Sequence, residues 1–303
     1  MIKPLFLAHG SPMMAIEESE YTKFLNNLGN SIKPKAIVVF TAHWDSKVLT
    51  ISASDSIYNT IYDFYGFPKE LYEIKYPAKG SSIIASEIEE KLINQGIKVQ
   101  KDLTRGLDHG AWTLLKHLYP KADIPIVQIS ISSNLSIENQ IKIGNALKSL
   151  GNEDILVIGS GNTVHNLRLV DFDKTTTDSW SEKFDDWLID KIKLNDLNSL
   201  FNYRELAPNA SLAVPTAEHF VPLFIALGSS INLTPKVIFR DYQLGNLSYL
   251  CFEFWKYKLN SSFKIVYKII CFTRGFLSSY FEIFSSISDT IKYNLAKTLY
   301  IFI

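Results

Sequence analysis

Five of the chain's 6 histidines sit in short motifs rich in glycine, proline and small polar residues, and these are the side chains with chemistry to offer. His9 opens His9-Gly10-Ser11-Pro12, and His43 lies in Thr41-Ala42-His43-Trp44. His109 falls in Leu107-Asp108-His109-Gly110-Ala111-Trp112, His165 in Gly159-Ser160-Gly161-Asn162-Thr163-Val164-His165-Asn166, and His219 in Pro215-Thr216-Ala217-Glu218-His219-Phe220. Neutral imidazole is the commonest metal ligand near neutral pH, and three or four of them suit Fe(II), Zn(II) or a related divalent ion rather than Mg or Ca, which take oxygen. The separations, from His9 to His219, do not fit a finger-type structural site, whose ligands come in close pairs. A site gathered from distant segments is the pattern of a catalytic metal with open coordination positions. His117, on the helical stretch Trp112 to Tyr119, lacks such a context.

The elements that must carry these motifs show in the alternation of short apolar, β-branched runs with longer segments of helical period. This alternation predicts an α/β fold, a single domain with a central mixed or mostly parallel sheet flanked by helices. Strands are expected at Pro4 to Ala8, Ala36 to Thr41, Val48 to Ala53, Ile124 to Ile131, Ile155 to Gly159, near Ser211 to Val214, and at Leu247 to Phe252. Helices are expected at Ser81 to Gln95, stopped by Gly96; at Ser136 to Leu150, opened by Ser136-x-x-Asn139; and at Asp178 to Lys193. Several histidines then stand where strands end, and in an open α/β sheet ligands bind in the crevice beyond the carboxyl ends of the strands. One shared cleft follows. Trp44, Trp112, Tyr62, Phe64, Tyr65 and Phe67 are candidate walls for an aromatic ligand, or ordinary core and surface aromatics. Asp108 either orients the His109 ring or caps the turn that follows it.

Composition narrows the partners. With 31 basic and 31 acidic residues the formal net charge is zero, which gives no global electrostatic case for nucleic acid or an anionic membrane. Cys251 and Cys271 are too few for a disulfide framework and suit a reducing cytoplasm. No secretory leader is expected from Met1 to Gly10. From about Trp255 the character changes to irregular aromatics and isoleucines among Lys and Ser, and charges interrupt it before a membrane span accumulates. The expected division is a catalytic domain over residues 1–253 and an extension over 254–303, with no stable membrane insertion and the oligomeric state open.

Taken in order, HGSPM, AHW, LDHGAW, GSGNTVHN and PTAEHF, spread over roughly residues 1–253, resemble the class III extradiol ring-cleaving dioxygenases of the LigB superfamily, nearest in look to its DOPA 4,5-dioxygenase-type branch. The resemblance implies a LigB-like α/β fold and a non-haem Fe(II) centre, with Zn(II) able to occupy the same site. It implies His9, His43 and His219 as metal ligands, with Glu218 the alternative to His219. It makes His165 an acid/base or an additional ligand, and His109 the contact to substrate hydroxyl or oxygen. Trp44 and Tyr65 are expected to bind substrate beside His109. The implied reaction is cleavage of a catechol-type aromatic by O2 to a ring-opened muconic semialdehyde, a yellow product. Two other classes use the same residues: a non-redox zinc hydrolase in which the histidines activate water, and a binding protein on the same fold. Gly159-Ser160-Gly161 lacks the Lys of a phosphate-binding loop, so a nucleotide enzyme fits poorly.

Overall fold

The computed structural model describes residues 1–230 and 234–255. Among the described residues ten strands form, in the order β1 (Leu5–Ala8), β2 (Ala36–Asp45), β3 (Leu49–Ser52), β4 (Val99–Asp102), β5 (Ile126–Ile131), β6 (Ile155–Gly161), β7 (Thr234–Phe239), β8 (Tyr242–Gln243), β9 (Leu247–Ser248) and β10 (Cys251–Trp255). The helices are α1 (Glu20–Ser31), α2 (Ser82–Ile93), α3 (His109–Leu118), α4 (Ile137–Ala146), α5 (Ser179–Lys193), the short α6 (Leu197–Phe201), α7 (Tyr203–Leu206) and α8 (Ala210–Ala213), and α9 (Pro222–Gly228).

Eight strands make one sheet in the order β4-β3-β5-β2-β6-β1-β10-β7, and β8 and β9 form a separate hairpin. The centre is parallel: β2 pairs with β5 and β6, and β6 pairs with β1. Antiparallel pairs flank it, β3 on β5 and β10 on both β1 and β7. This is the mixed, mostly parallel sheet that the pattern predicts. The central strands are buried on both faces, as parallel strands covered by helices must be. Leu5, Leu7, Ile37, Val39 and Ile158 point to one core layer with Leu25 and Trp112, while Phe6, Val38, Phe40, Val157 and Ile129 point to the other with Phe184 and Phe224.

Local chemistry sets the helix ends. Ser19 makes a reciprocal cap with Thr22 at the start of α1, and the Ser81 and Ser136 hydroxyls accept the backbone N–H of Ile84 and Asn139. Past α2, Gly96 adopts φ +71°, where a Cβ would be strained, and the helix stops as expected.

Three expectations change. The strand expected over Leu247 to Phe252 is split between β9, in the hairpin, and the start of β10, in the main sheet. The segment Ser211 to Val214 is not a strand: it falls in α8, a single turn closed by Val214 N–H donating to Ala210 O. Three apolar residues after a serine have no period that separates strand from helix. The second strand does not stop at Thr41 but continues through His43 to Asp45, with its register against β5 slipping between Thr41 and Asp45. Such a bulge bends a strand and re-aims its side chains. Apart from Phe254 and Trp255, which complete β10, the segment 254–303 lies outside the described residues. Among the described residues no helix is long and apolar enough to cross a membrane.

Candidate metal centre

Three central strands deliver the centre. His9 follows the last residue of β1, His43 rides the bulge of β2, and the end of β6 receives the segment that carries His219. That last approach needs small residues: a Cβ on Gly161 would lie 2.1 Å from His219 O, and the neighbouring Asn162 N–H donates to the same carbonyl at 2.8 Å. His109 is the first residue of α3, and Gly110 behind it lets the helix press on His43, since a Cβ there would stand 2.8 Å from His43 Cδ2.

The rings meet. Centroids of His9 and His43 are 4.8 Å apart, His9 and His219 5.1 Å, and His43 and His219 5.0 Å. One ligand atom from each of these three lies within 4.8 Å of the others. His109 stands 3.9 Å from His43 between centroids, and His165 stacks on His219 at 3.6 Å. The five motif histidines thus form one group. His117 stands apart, its Nε2 on Met14 O at 2.8 Å.

Hydrogen bonds to the outer nitrogens fix which inner nitrogens carry lone pairs. Ser160 Oγ spends its single proton on Gly110 O, so at 3.0 Å from His9 Nδ1 it accepts, and Nδ1 carries the proton. Asp63 Oδ2 accepts from His43 Nδ1 at 3.1 Å, and Glu218 Oε1 accepts from His219 Nδ1 at 3.2 Å. All three Nε2 atoms are therefore unprotonated. His219 Nε2 is buried without a hydrogen-bond partner, and His9 Nε2 faces His43 Nε2 at 3.0 Å. Two lone pairs directed at each other repel, and a divalent cation shared by them would relieve that repulsion. The donor set fits a divalent transition metal.

Burial supports the neutral state. It lowers His9 well below its usual pKa, with the neighbouring histidines adding to the effect; burial also brings His219 down to about 4, against the pull of Glu218. His165 is brought down to about 2 by burial first and His219 second, with Glu218 acting the other way. Burial would raise Glu218, but hydrogen bonds from His219 and Thr216 hold it at about 2. Its Oε1 is engaged by Thr216 Oγ1 at 2.7 Å and by His219.

Asp108 takes neither expected role. It stands at the start of α3 without a side-chain cap bond, and its fully buried carboxylate accepts from Thr41 Oγ1 at 2.7 Å, Gln128 Nε2 at 3.0 Å and Arg105 Nη2 at 3.1 Å. Thr41 Oγ1 in turn accepts the His43 N–H, and Arg105 Nη2 donates to His43 O. The group thus takes over backbone partners that the bulge removes from the ladder around His43. The carboxylate that orients His109 is Asp63, with Oδ1 3.0 Å from Nδ1. Sequence reading missed it; its one signal is a carboxylate inside the aromatic run Tyr62-Asp63-Phe64-Tyr65. In that run the ring that meets His109 is Phe64's, edge-on at 5.6 Å, whereas Tyr65 is 92% exposed. Trp44 is buried, its ring covered by the Arg105 guanidinium at 4.6 Å.

A mixed α/β sheet with an all-histidine centre at its strand ends defines a class that sequence comparison names: residues 3–250 match the catalytic LigB subunit of aromatic ring-opening dioxygenase, and the chain belongs to that family. It is 40% identical over 255 residues to a 4,5-DOPA dioxygenase extradiol of Beta vulgaris, covering 82% of this chain and 95% of the relative. A protein of the same description from Escherichia coli K12 is 36% identical over 252 residues, covering 81% and 92%. The crystal structure of an uncharacterized Escherichia coli K12 protein superposes with a TM-score of 0.71 at 32% identity, covering 84% of this chain and all 100% of that one. The family places the chain among the extradiol dioxygenases, with a small-molecule substrate and O2.

Proposed function

We propose that the chain cleaves a catechol, DOPA-like or related, by extradiol insertion of O2 at an Fe(II) held by His9, His43 and His219, giving a muconic semialdehyde. The observation that carries the reading is the convergence of three unprotonated Nε2 atoms, one of them buried without a partner. The relatives named for DOPA support the substrate class. Fe(II), when bound, supplies a common template for the two catechol oxygens and O2 and lowers the pKa of the hydroxyls; Zn(II) fits the same nitrogens but brings no redox chemistry.

The chain's own residues do the rest. His109 carries its proton on Nδ1, held by Asp63, so its Nε2 is an acceptor for a substrate hydroxyl. His165, stacked on His219 at the edge of the histidine group, is the residue we assign as acid/base, taking the second substrate proton and later returning it. Phe64, one of the candidate wall residues, supplies an aromatic edge at His109.

The test is anaerobic reconstitution with Fe(II), then oxygen uptake and the visible spectrum on L-DOPA, caffeate and protocatechuate. Uptake matched by a yellow product is expected. Iron-loaded protein that consumes no oxygen with any catechol, yet hydrolyses an ester or amide, would overturn the reading.

A further inference from the structure

One carboxylate is shared by two histidines of different expected roles. Asp63 Oδ2 lies 3.1 Å from Nδ1 of His43, on the bulge of β2. Its Oδ1 lies 3.0 Å from Nδ1 of His109 and also accepts the His109 backbone N–H at 3.0 Å. The segment that bears it is pinned to the site on either side: Ile61 N–H donates to Leu107 O at 2.8 Å, Trp112 Nε1 donates to Ile61 O at 3.0 Å, and Phe64 meets the His109 ring. The geometry points to Asp63 as a positioning residue that fixes the tautomer and mutual orientation of His43 and His109 together, coupling the ion-holding ring to the substrate-facing one. The inference rests on the roles proposed above for those histidines.

An ionised carboxylate only accepts hydrogen bonds, and three N–H groups are directed at this one. Both rings must then carry their proton on Nδ1 and turn an Nε2 lone pair inward. On His43 that lone pair can bind a cation; on His109 it can take a hydrogen bond from a hydroxyl. The arrangement also makes Asp63, not Asp108, the residue that satisfies the first N–H of α3. A purely structural role as a helix cap needs only Oδ1. Asp63→Asn separates the two functions, because its amide oxygen can still accept from His109 while its NH2, a donor, faces His43 Nδ1. That ring must then move its proton to Nε2, where the ion belongs.

Two measurements on the full chain test this. Nitrogen NMR of the metal-free protein reads the tautomers, and Co2+ titration reads the affinity. In wild type both His43 and His109 are expected as Nδ1–H; in Asp63→Asn one ring switches and Co2+ binding weakens roughly 10–100-fold, the range for lost outer partners of ligating histidines, with the unfolding midpoint little moved. An Nε2–H tautomer at either ring in wild type, or a folded variant with unchanged Co2+ affinity and unswitched rings, would overturn it. If the variant does not fold, the wild-type tautomers decide. Wild type that binds no Co2+ sinks the proposed function instead, while the tautomers still judge Asp63.

Discussion

The imidazole of His165 lies flat on that of His219, ring centroids 3.6 Å apart and planes 7° from parallel. On the proposed assignment of His219 as a ligand, a ring stacked on it would cover it without being needed to hold the ion, since His9, His43 and His219 already converge.

His165→Ala should therefore keep its metal and lose most turnover, whereas His43→Ala should lose the metal. Metal content after anaerobic loading, read beside the rate, decides; an equal fall in iron in both variants contradicts the assignment.

Gly110→Ala asks whether the contact of α3 with His43 matters. The added methyl would stand 2.7 Å from Thr41 Oγ1 and 2.8 Å from His43 Cδ2, so the ring must shift. Alanine is otherwise the better helix former by about 1 kcal/mol. Stability should change little while Co2+ affinity falls about tenfold or more, as for other lost supports of a ligand. Unaltered affinity would show that the ring is free to adjust.

Asp185 gives a pH dependence away from the centre. Burial pushes its carboxyl up to about 6, although hydrogen bonds from Ser248, Thr163 and Tyr242 act the other way. A carboxyl with a folded pKa above its unfolded value near 3.9 favours the fold at low pH, and that contribution is lost as pH rises from about 4 through 6. The order of the loss is about 3 kcal/mol. Asp185→Asn cannot ionise, so its stability relative to wild type should improve by up to that amount between pH 4 and pH 7.5. Urea unfolding of both proteins at the two pH values removes the titrations they share; a pH-independent difference refutes it.

Arg105→Ala removes one of three donors to the fully buried Asp108 and the partner of His43 O. A loss of about 1–3 kcal/mol in denaturant unfolding is expected. Arg105→Lys should not restore it, because the one nitrogen that reaches both acceptors, Nη2, is held in place by the guanidinium plane lying on Trp44, and lysine has no such plane. Full rescue by lysine would mean that charge alone suffices.

The central strands were legible because they are buried on both faces and read as short, mostly apolar runs: Ala36 to Thr41 and Ile155 to Gly159 are nearly continuous, and Ile126 to Ile131 is broken only by Gln128 and Ser130. β4 was not, for Val99–Asp102 is a partly exposed edge with charged residues. The five motif histidines announced themselves by residue type. Their supports did not, since nothing in the chain near Asp63, Arg105 or Gln128 shows that folding will bring them to His43, His109 or Asp108. Which of the aromatics from Tyr62 to Phe67 turns toward His109 was not legible either, since adjacent side chains in an irregular segment follow no period that tells inward from outward: Phe64 meets the His109 ring and Tyr65 is exposed.

The placement of the centre on the middle of the sheet carries a dynamic consequence. His9 and His43 hang from β1 and β2 in the middle of the sheet, whose buried amides should be among the slowest to exchange with solvent. His219 lies outside the sheet, between α8 and α9, so its hold on an ion would depend on the burial of Phe220 and on the Asn162 N–H at its carbonyl rather than on a strand ladder.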